Sequence, residues 1–371
     1  MPGCFKKRFF NLSNLPNPNG IYSVGTIEFD WLNKGYKNLF NDKIDDKRRM
    51  MVQFWYPGIF DEAREPSLYS NNPKVIEALS KEYKISPVLL KNSLEIKTNS
   101  FYDLDPLPNK KNYPLIIFSH GKGGYKGQNT VQCEELASHG YIVASIDHSY
   151  DALITVFSDG SIAPYVSDNP KKVGSEIESD RITNNKLMSR VSDVRYLLDK
   201  IWNDNNYHPI FSLIDTSNVG MFGHSFGVAT TVLSAQTDTR IKVIAGLDGW
   251  FEPISEEKLD KGIEVPFLHL GRKKWHFNPT NYENMERLSI NSSELINHFP
   301  IKRLQHFDFM DGSQLASLSI KLSLSYLSSY DKHKIRELLN SMLLTYFNFK
   351  LKRESSATLE SVSKHFKIIT N

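Results

Sequence analysis

Val219-Gly220-Met221-Phe222-Gly223-His224-Ser225-Phe226-Gly227-Val228-Ala229-Thr230-Thr231 is the stretch that decides how this chain is read. An apolar run, Asn218–Phe222, leads into Gly223–Gly227, which matches G-x-S-x-G, and a small-residue, Thr-rich segment follows. Strand, sharp turn and helix form the setting in which that pentapeptide presents a serine hydroxyl at the end of a sheet. The glycines let the strained turn close without a Cβ clash. The helix N-terminus behind Ser225 favours negative charge in a transition state. Without its flanks the pentapeptide would be a chance match; with them it points to a nucleophile.

Working outward, four more short apolar runs flank this one: Pro114–Phe118, Tyr141–Ile146, Ile241–Leu247 and Val265–Leu270. Continuous apolar runs of this length suit strands buried on both faces of a parallel sheet. Helical patterns alternate with them. Asn129–His139 is one; Ile182–Trp202, with Val191, Val194, Leu197, Leu198 and Ile201 in register, is another. The alternation predicts an α/β fold with a mostly parallel, doubly wound sheet and helices on both faces. Gly20–Phe29 and Met50–Tyr56 read as earlier strands, and Pro73–Leu90 as two short helices, in a polar region expected to wrap more than to build core. Asp151–Asp180 is expected to be a long polar loop, and such loops are usually functional or mobile. Asp331–Arg353 carries an apolar helical face from Ile335 to Phe347, which favours packing on the core over lying on a membrane surface. The expected organisation is one domain, 1–371: N-terminal strands and wrapping segment 1–110, catalytic core 111–325, C-terminal helix 326–353 and a frayed tail 354–371.

Composition excludes several classes. With 371 residues, 40% hydrophobic and 23% charged, the chain can bury a large core and is neither disordered nor fibrous. A net charge of +3 argues against a dedicated nucleic-acid binder. Two cysteines, Cys4 and Cys133, exclude a disulfide scaffold and a Cys-rich zinc site. No H-E-x-x-H occurs, and Gly121–Lys126 fails G-x-G-x-x-G with no Walker Lys-Ser/Thr after it, so no metal or cofactor is expected. The basic N-terminus lacks an apolar run of secretory length, and no stretch approaches membrane-spanning length, so the expected compartment is the cytoplasm.

A nucleophilic serine needs a base, and the base needs an orienting acid; in this fold they follow in the order serine, acid, histidine. His306, just after Ile301–Leu304 as a last strand, is the expected base, with His298 and His276 as rivals. Asp248 ends the Ile241–Leu247 strand and is the expected acid. The loop after the next strand, Gly271–His276, holds no carboxylate, and its nearest rival is Glu283. An oxyanion hole needs backbone N–H groups. Phe226, next to the nucleophile, should supply one. Lys122, in the loop Ser119-His120-Gly121-Lys122-Gly123-Gly124, should supply the other, since that loop resembles the His-Gly loops of esterases.

Taken together, these segments resemble the type-II platelet-activating-factor acetylhydrolases, plasma and intracellular, and their bacterial relatives, within the α/β-hydrolase superfamily. The likeness rests on Phe54-Trp55-Tyr56-Pro57, Pro114–Gly124, Leu136-Ala137-Ser138-His139-Gly140-Tyr141-Ile142-Val143-Ala144, Gly223–Gly227, Leu247-Asp248-Gly249-Trp250 and His306-Phe307-Asp308-Phe309. The resemblance implies a calcium-independent serine esterase that cleaves short or oxidised sn-2 acyl chains from glycerophospholipids. It carries Ser225, Asp248 and His306 over as triad and Phe226 and Lys122 as oxyanion donors. The implied partner is a phospholipid or small-molecule ester, with transient contact at a membrane surface and no nucleic acid.

Overall fold

The computed structural model describes residues 14–40, 47–70, 72–83, 94–110, 112–204, 207–275, 278–315, 327–354 and 357–366. The apolar runs become the central strands: β5 (Tyr113–Ser119), β6 (Ile142–Asp147), β9 (Ile214–His224), β10 (Ile241–Leu247) and β11 (Phe267–Arg272). Every residue of β5 and β6 is buried, as strands covered on both faces must be. They sit in a ten-stranded sheet of order β12-β11-β10-β9-β5-β6-β2-β1-β4-β3, where β1 is Ser23–Lys37, β2 Lys47–Gly58, β3 Pro66–Leu68, β4 Lys97–Tyr102 and β12 Asn297–Ile301. From β12 to β6 all neighbours run parallel; β2 enters antiparallel to β6. The chain leaves β5 towards β6 and returns on its other side as β9. This reversal opens a crevice at the carboxyl ends of the strands.

Helices cover both faces. The labelled ones are α1 (Pro73–Tyr83), α2 (Thr130–Ser138), α3 (Glu176–Asn203), α4 (Phe226–Thr237), α5 (Thr280–Ile290), α6 (Lys332–Phe347) and α7 (Leu359–His365). Leu187, Val194, Leu198 and Ile201 of α3 pack with Val228 and Val232 of α4 on one face. Cys133 and Leu136 of α2 pack with Leu338, Met342 and Phe347 of α6 on the other. Ser175 caps α3, its hydroxyl accepting from Glu178 N–H at 3.1 Å, with Glu176 and Glu178 in the first turn where the helix dipole favours them.

Four expectations are revised. The N-terminal region builds core as well as wrapping it: β1 pairs with β2 from Ser23↔Gly58 to Asn33↔Arg48, and Trp31, Phe54 and Trp55 are buried. β2 is buried along nearly its whole length, and β1 over its first half. The segment 151–180 is structured, holding the hairpin β7 (Ile154–Val156) and β8 (Ile162–Pro164) and the first turn of α3, which begins at Glu176 rather than Ile182. The last strand ends, rather than begins, at Ile301, because Arg303 turns into the left-handed region at φ 68°. The tail forms α7, capped by Thr358, with Leu359 and Val362 packed against the core. Of the two helices expected over Pro73–Leu90, α1 is present and 84–90 lie outside the described residues. Among the described residues no helix is long and apolar enough to cross a membrane.

Leu338 in α6 is fully buried. Leu338→Ala should lower the free energy of unfolding by about 2–5 kcal/mol in denaturant titrations. A loss below about 0.5 kcal/mol would mean that α6 lies on the surface.

Candidate active site

Ser225 follows β9 in a conformation that L residues rarely adopt, φ 55° and ψ −117°. Close packing holds it there. A Cβ on Gly223 would meet the Gly227 carbonyl carbon at 2.3 Å, and one on Gly227 would meet the Ser119 carbonyl oxygen at 2.0 Å. The turn is tied to the next strand by Ser225 N–H to Leu247 O at 3.0 Å, and Trp250 N–H donates to Ser225 O at 3.0 Å. Asp248, at φ 45°, is tied on in the same way through its N–H to Leu270 O at 2.7 Å. The ends of β9, β10 and β11 are thereby fixed in step.

The structure brings Ser225, His306 and Asp248 together. Ser225 Oγ lies 2.9 Å from His306 Nε2, and His306 Nδ1 donates to Asp248 Oδ2 at 2.5 Å. Asp248 is fully buried, whereas about a quarter of the His306 side chain is exposed at the mouth. Arg272 donates to Asp248 twice, from its backbone N–H at 2.9 Å and its Nε at 2.7 Å, and Trp275 Nε1 adds a third bond at 3.2 Å. The loop that lacked a rival carboxylate thus supplies the donors for this one. Burial alone would push the Asp248 carboxyl up. The hydrogen bond and charge of His306 and the charge of Arg272 outweigh it and hold the group below the usual carboxylate range.

The rivals lie elsewhere. His298 is on β12, its Nδ1 2.8 Å from His269 Nδ1. Glu283 is exposed on α5, and His276 lies outside the described residues. Lys122 and Ser225 line a common cavity of about 390 Å³ walled by Leu153, Tyr165, Trp250, Trp275 and Phe307. Phe226 N–H begins α4 and has no acceptor within the helix. The N–H groups on either side of Lys122 are already used: Gly121 N–H donates to Gln128 Oε1 at 3.1 Å and Gly123 N–H to Asp151 O at 3.1 Å. The Lys122 ammonium pairs with Asp168 at 2.8 Å and lies 5.3 Å from the Trp250 ring centre.

Sequence reasoning missed the supports. His224, the variable residue of the motif, donates from Nε2 to the His306 carbonyl at 3.1 Å and accepts from Gln128 Nε2 at 2.8 Å. Gln128 therefore links the Lys122 loop to the backbone of His306. Behind that loop lies a buried lattice of charge. Arg190 donates to His120 O at 2.6 Å and Gly121 O at 3.2 Å while its Nε pairs with Asp151 at 2.5 Å. Arg48 is bidentate on Asp193 at 2.9 and 2.7 Å. Asp193 also accepts from His148 Nδ1 at 2.9 Å, and His148 Nε2 lies 3.0 Å from Ser119 Oγ. This repeats the connectivity of Ser225, His306 and Asp248, but all three members are sealed from solvent and no substrate can reach them. The legible signal was Lys186 and Arg190, charged residues four apart within the apolar stripe of α3.

The model of the family described as platelet-activating factor acetylhydrolase, isoform II, matches residues 8–355. Platelet-activating factor acetylhydrolase of Canis lupus familiaris is 26% identical over 300 residues, which cover 74% of this chain but 63%, less than two thirds, of the dog protein. The protein of the same name from Cavia porcellus is 25% identical over 362 residues, 91% of this chain and 78% of its own length. A ferulic acid esterase from Streptomyces cinnamoneus shares the fold, with a TM-score of 0.79 and 22% identity over 96% of this chain and 98% of its own.

Burial holds His120, His148, His208, His224, His269 and His298 below the usual imidazole range, His148 at about 4 and His224 at about 3. Each binds a proton in the unfolded chain near pH 6.5 and later, or not at all, in the native one, so each withdraws stability as pH falls. Glu134, pushed up by burial to about 7, and Asp147 and Asp311, pushed up likewise, act in the opposite sense because the native state holds their protons longer. The histidines outnumber them. The thermal midpoint should therefore fall between pH 7 and pH 5; a higher midpoint at pH 5 would contradict this balance.

Proposed function

Because the chain belongs to the platelet-activating factor acetylhydrolase isoform II family, we propose that it is a serine esterase that removes short acyl chains from phospholipid esters. The observation that carries this reading is the continuous line Ser225 Oγ, His306 Nε2, His306 Nδ1, Asp248 Oδ2 beyond the carboxyl ends of the parallel strands β9, β10 and β12. His306 takes the proton of Ser225 as the hydroxyl attacks the ester carbonyl, and Asp248 stabilises the resulting imidazolium. The oxyanion forms between the N–H groups of Phe226 and Lys122. His306 then returns the proton to the departing alcohol, leaving an acyl-serine. Water, deprotonated by the same imidazole, releases the carboxylic acid and restores Ser225.

The cavity supports a short acyl group. Its volume of about 390 Å³ is at the small end of ligand sites. Glu82 of α1, together with Leu153 and Tyr165 from the segment 151–180, helps to close it. A larger cavity of about 970 Å³ shares Glu82, Lys122, Tyr165 and Trp250 with it and is lined largely by polar residues such as Asp168, Asn169 and Thr183. That side suits the alcohol portion of the substrate.

Ser225→Ala should reduce kcat on p-nitrophenyl acetate by roughly 10⁴–10⁶ and Asp248→Asn by about 10⁴, while Glu283→Gln should change little. Retention of a tenth of the activity by Ser225→Ala would remove it as nucleophile. On monomeric esters of graded length, acetyl to about hexanoyl should be preferred to palmitoyl. A deep apolar channel would instead raise kcat/KM about fourfold per CH₂, at roughly 0.8 kcal/mol each. A steady rise to sixteen carbons would overturn the short-chain reading.

A further inference from the structure

The ends of β11 and β12 enclose a second pocket of about 300 Å³. Its floor is Ile301 and Leu304, both buried, and its walls carry Arg272, Lys273, Lys274, Lys302 and Arg303. Among the described residues no carboxylate lines it. Arg272 is already engaged with Asp248 at 2.7 Å. The other four cations are exposed, and no ion pair among the described residues holds any of them. With a net charge of only +3 on the whole chain, four unmatched cations around one pocket are a local concentration of charge.

The pocket is joined to the site. The Arg272 guanidinium lies 4.8 Å from the centre of the Trp275 ring, and that ring lies 5.3 Å from the His306 ring. Gln305, which also lines the pocket, precedes His306. A half-buried tryptophan between a cationic rim and an apolar cavity is suited to the level of lipid headgroups. The occupant that fits is polyanionic, extended enough to meet all four cations at once, and located where the ester is.

We propose that this basic pocket docks the mouth of the site on the anionic headgroups of a phospholipid bilayer, which rests on the reading of the site as a lipid esterase. One headgroup phosphate sits over the Ile301–Leu304 floor between the two loops, and neighbouring headgroups engage the remaining cations. The catalytic groups act on esters presented at that surface. Each Lys or Arg near an anionic surface is worth about fivefold in partition, at roughly 1 kcal/mol. The attraction is screened by salt.

The test is flotation of the full chain with vesicles of phosphatidylcholine alone or with about 30% phosphatidylserine, at low and at high salt. Binding should favour the anionic vesicles at least tenfold at low salt and collapse at high salt. The pairs Lys273→Glu with Lys274→Glu, and Lys302→Glu with Arg303→Glu, should each lower it by at least about 25-fold. Both should keep wild-type hydrolysis of p-nitrophenyl acetate, which reports that they fold. Equal partition onto both vesicles, no partition onto either, or wild-type binding by the charge-reversed pairs would overturn the proposal, as would retention of a DNA duplex without any preference for anionic vesicles. Failure of the wild-type chain to hydrolyse p-nitrophenyl acetate would instead overturn the esterase reading.

Discussion

The turn at Ser225 is the constraint on which the rest of the site depends. A non-glycine residue at φ 55°, ψ −117° persists only where its surroundings over-determine it. Here the surroundings are backbone. Gly227 presses on the Ser119 carbonyl, Gly223 presses on Gly227, and Leu247 accepts from Ser225 N–H. Those contacts draw the ends of β5, β9 and β10 to one point, which is also where the chain reverses direction across the sheet. A hydroxyl held at that point faces the loops after β5, β10 and β12 together, and those loops carry Lys122, Asp248 and His306.

The buried lattice behind the Lys122 loop is the second support. Arg190 takes the carbonyls of His120 and Gly121, while Gly121 N–H is held by Gln128 and Gly123 N–H by the Asp151 carbonyl, so the backbone on both sides of Lys122 is fixed. A buried arginine is tolerated only when its charge and donors are matched, and Asp151 and the two carbonyls match it. His120 and His148 are neutral in this setting, each donating from Nδ1 and accepting at Nε2. Two Ser-His-Asp lines thus stand close together in one protein, and exposure separates their roles. His306 reaches the mouth, whereas His148 is sealed beneath it. Side-chain connectivity alone does not make a catalytic site; access to a substrate does.

Much of this was legible before folding because it depends on local chemistry. Strands buried on both faces must be apolar throughout, so β5, β6, β9, β10 and β11 could be read from their runs alone. The turn at Ser225 needs two glycines at fixed spacing, so it could be read too. Asp248 stood out because it ends a strand and because the following loop has no carboxylate. The same reasoning found β1 and β2 as strands but not their depth, because the polar segments around them hid that Trp31, Phe54 and Trp55 are buried in the core. It failed on 151–180, where two aspartates that resemble loop residues are buried partners of cations outside the segment, Asp168 of Lys186 and Lys122 and Asp151 of Arg190.

The sequence by itself therefore determined the fold class, the order of the central elements and the residue types available at the ends of the strands, since periodicity and turn chemistry are properties of neighbours along the chain. Only the tertiary structure decided which polar residues meet. His224 with Gln128 and His306, Arg190 with the Lys122 loop, Arg272 and Trp275 with Asp248, and the gathering of Lys273, Lys274, Lys302 and Arg303 around one pocket all join residues from different loops. No spacing rule links them, because their proximity is set by how parallel strands are ordered across the sheet, and that order is fixed by packing on both of its faces.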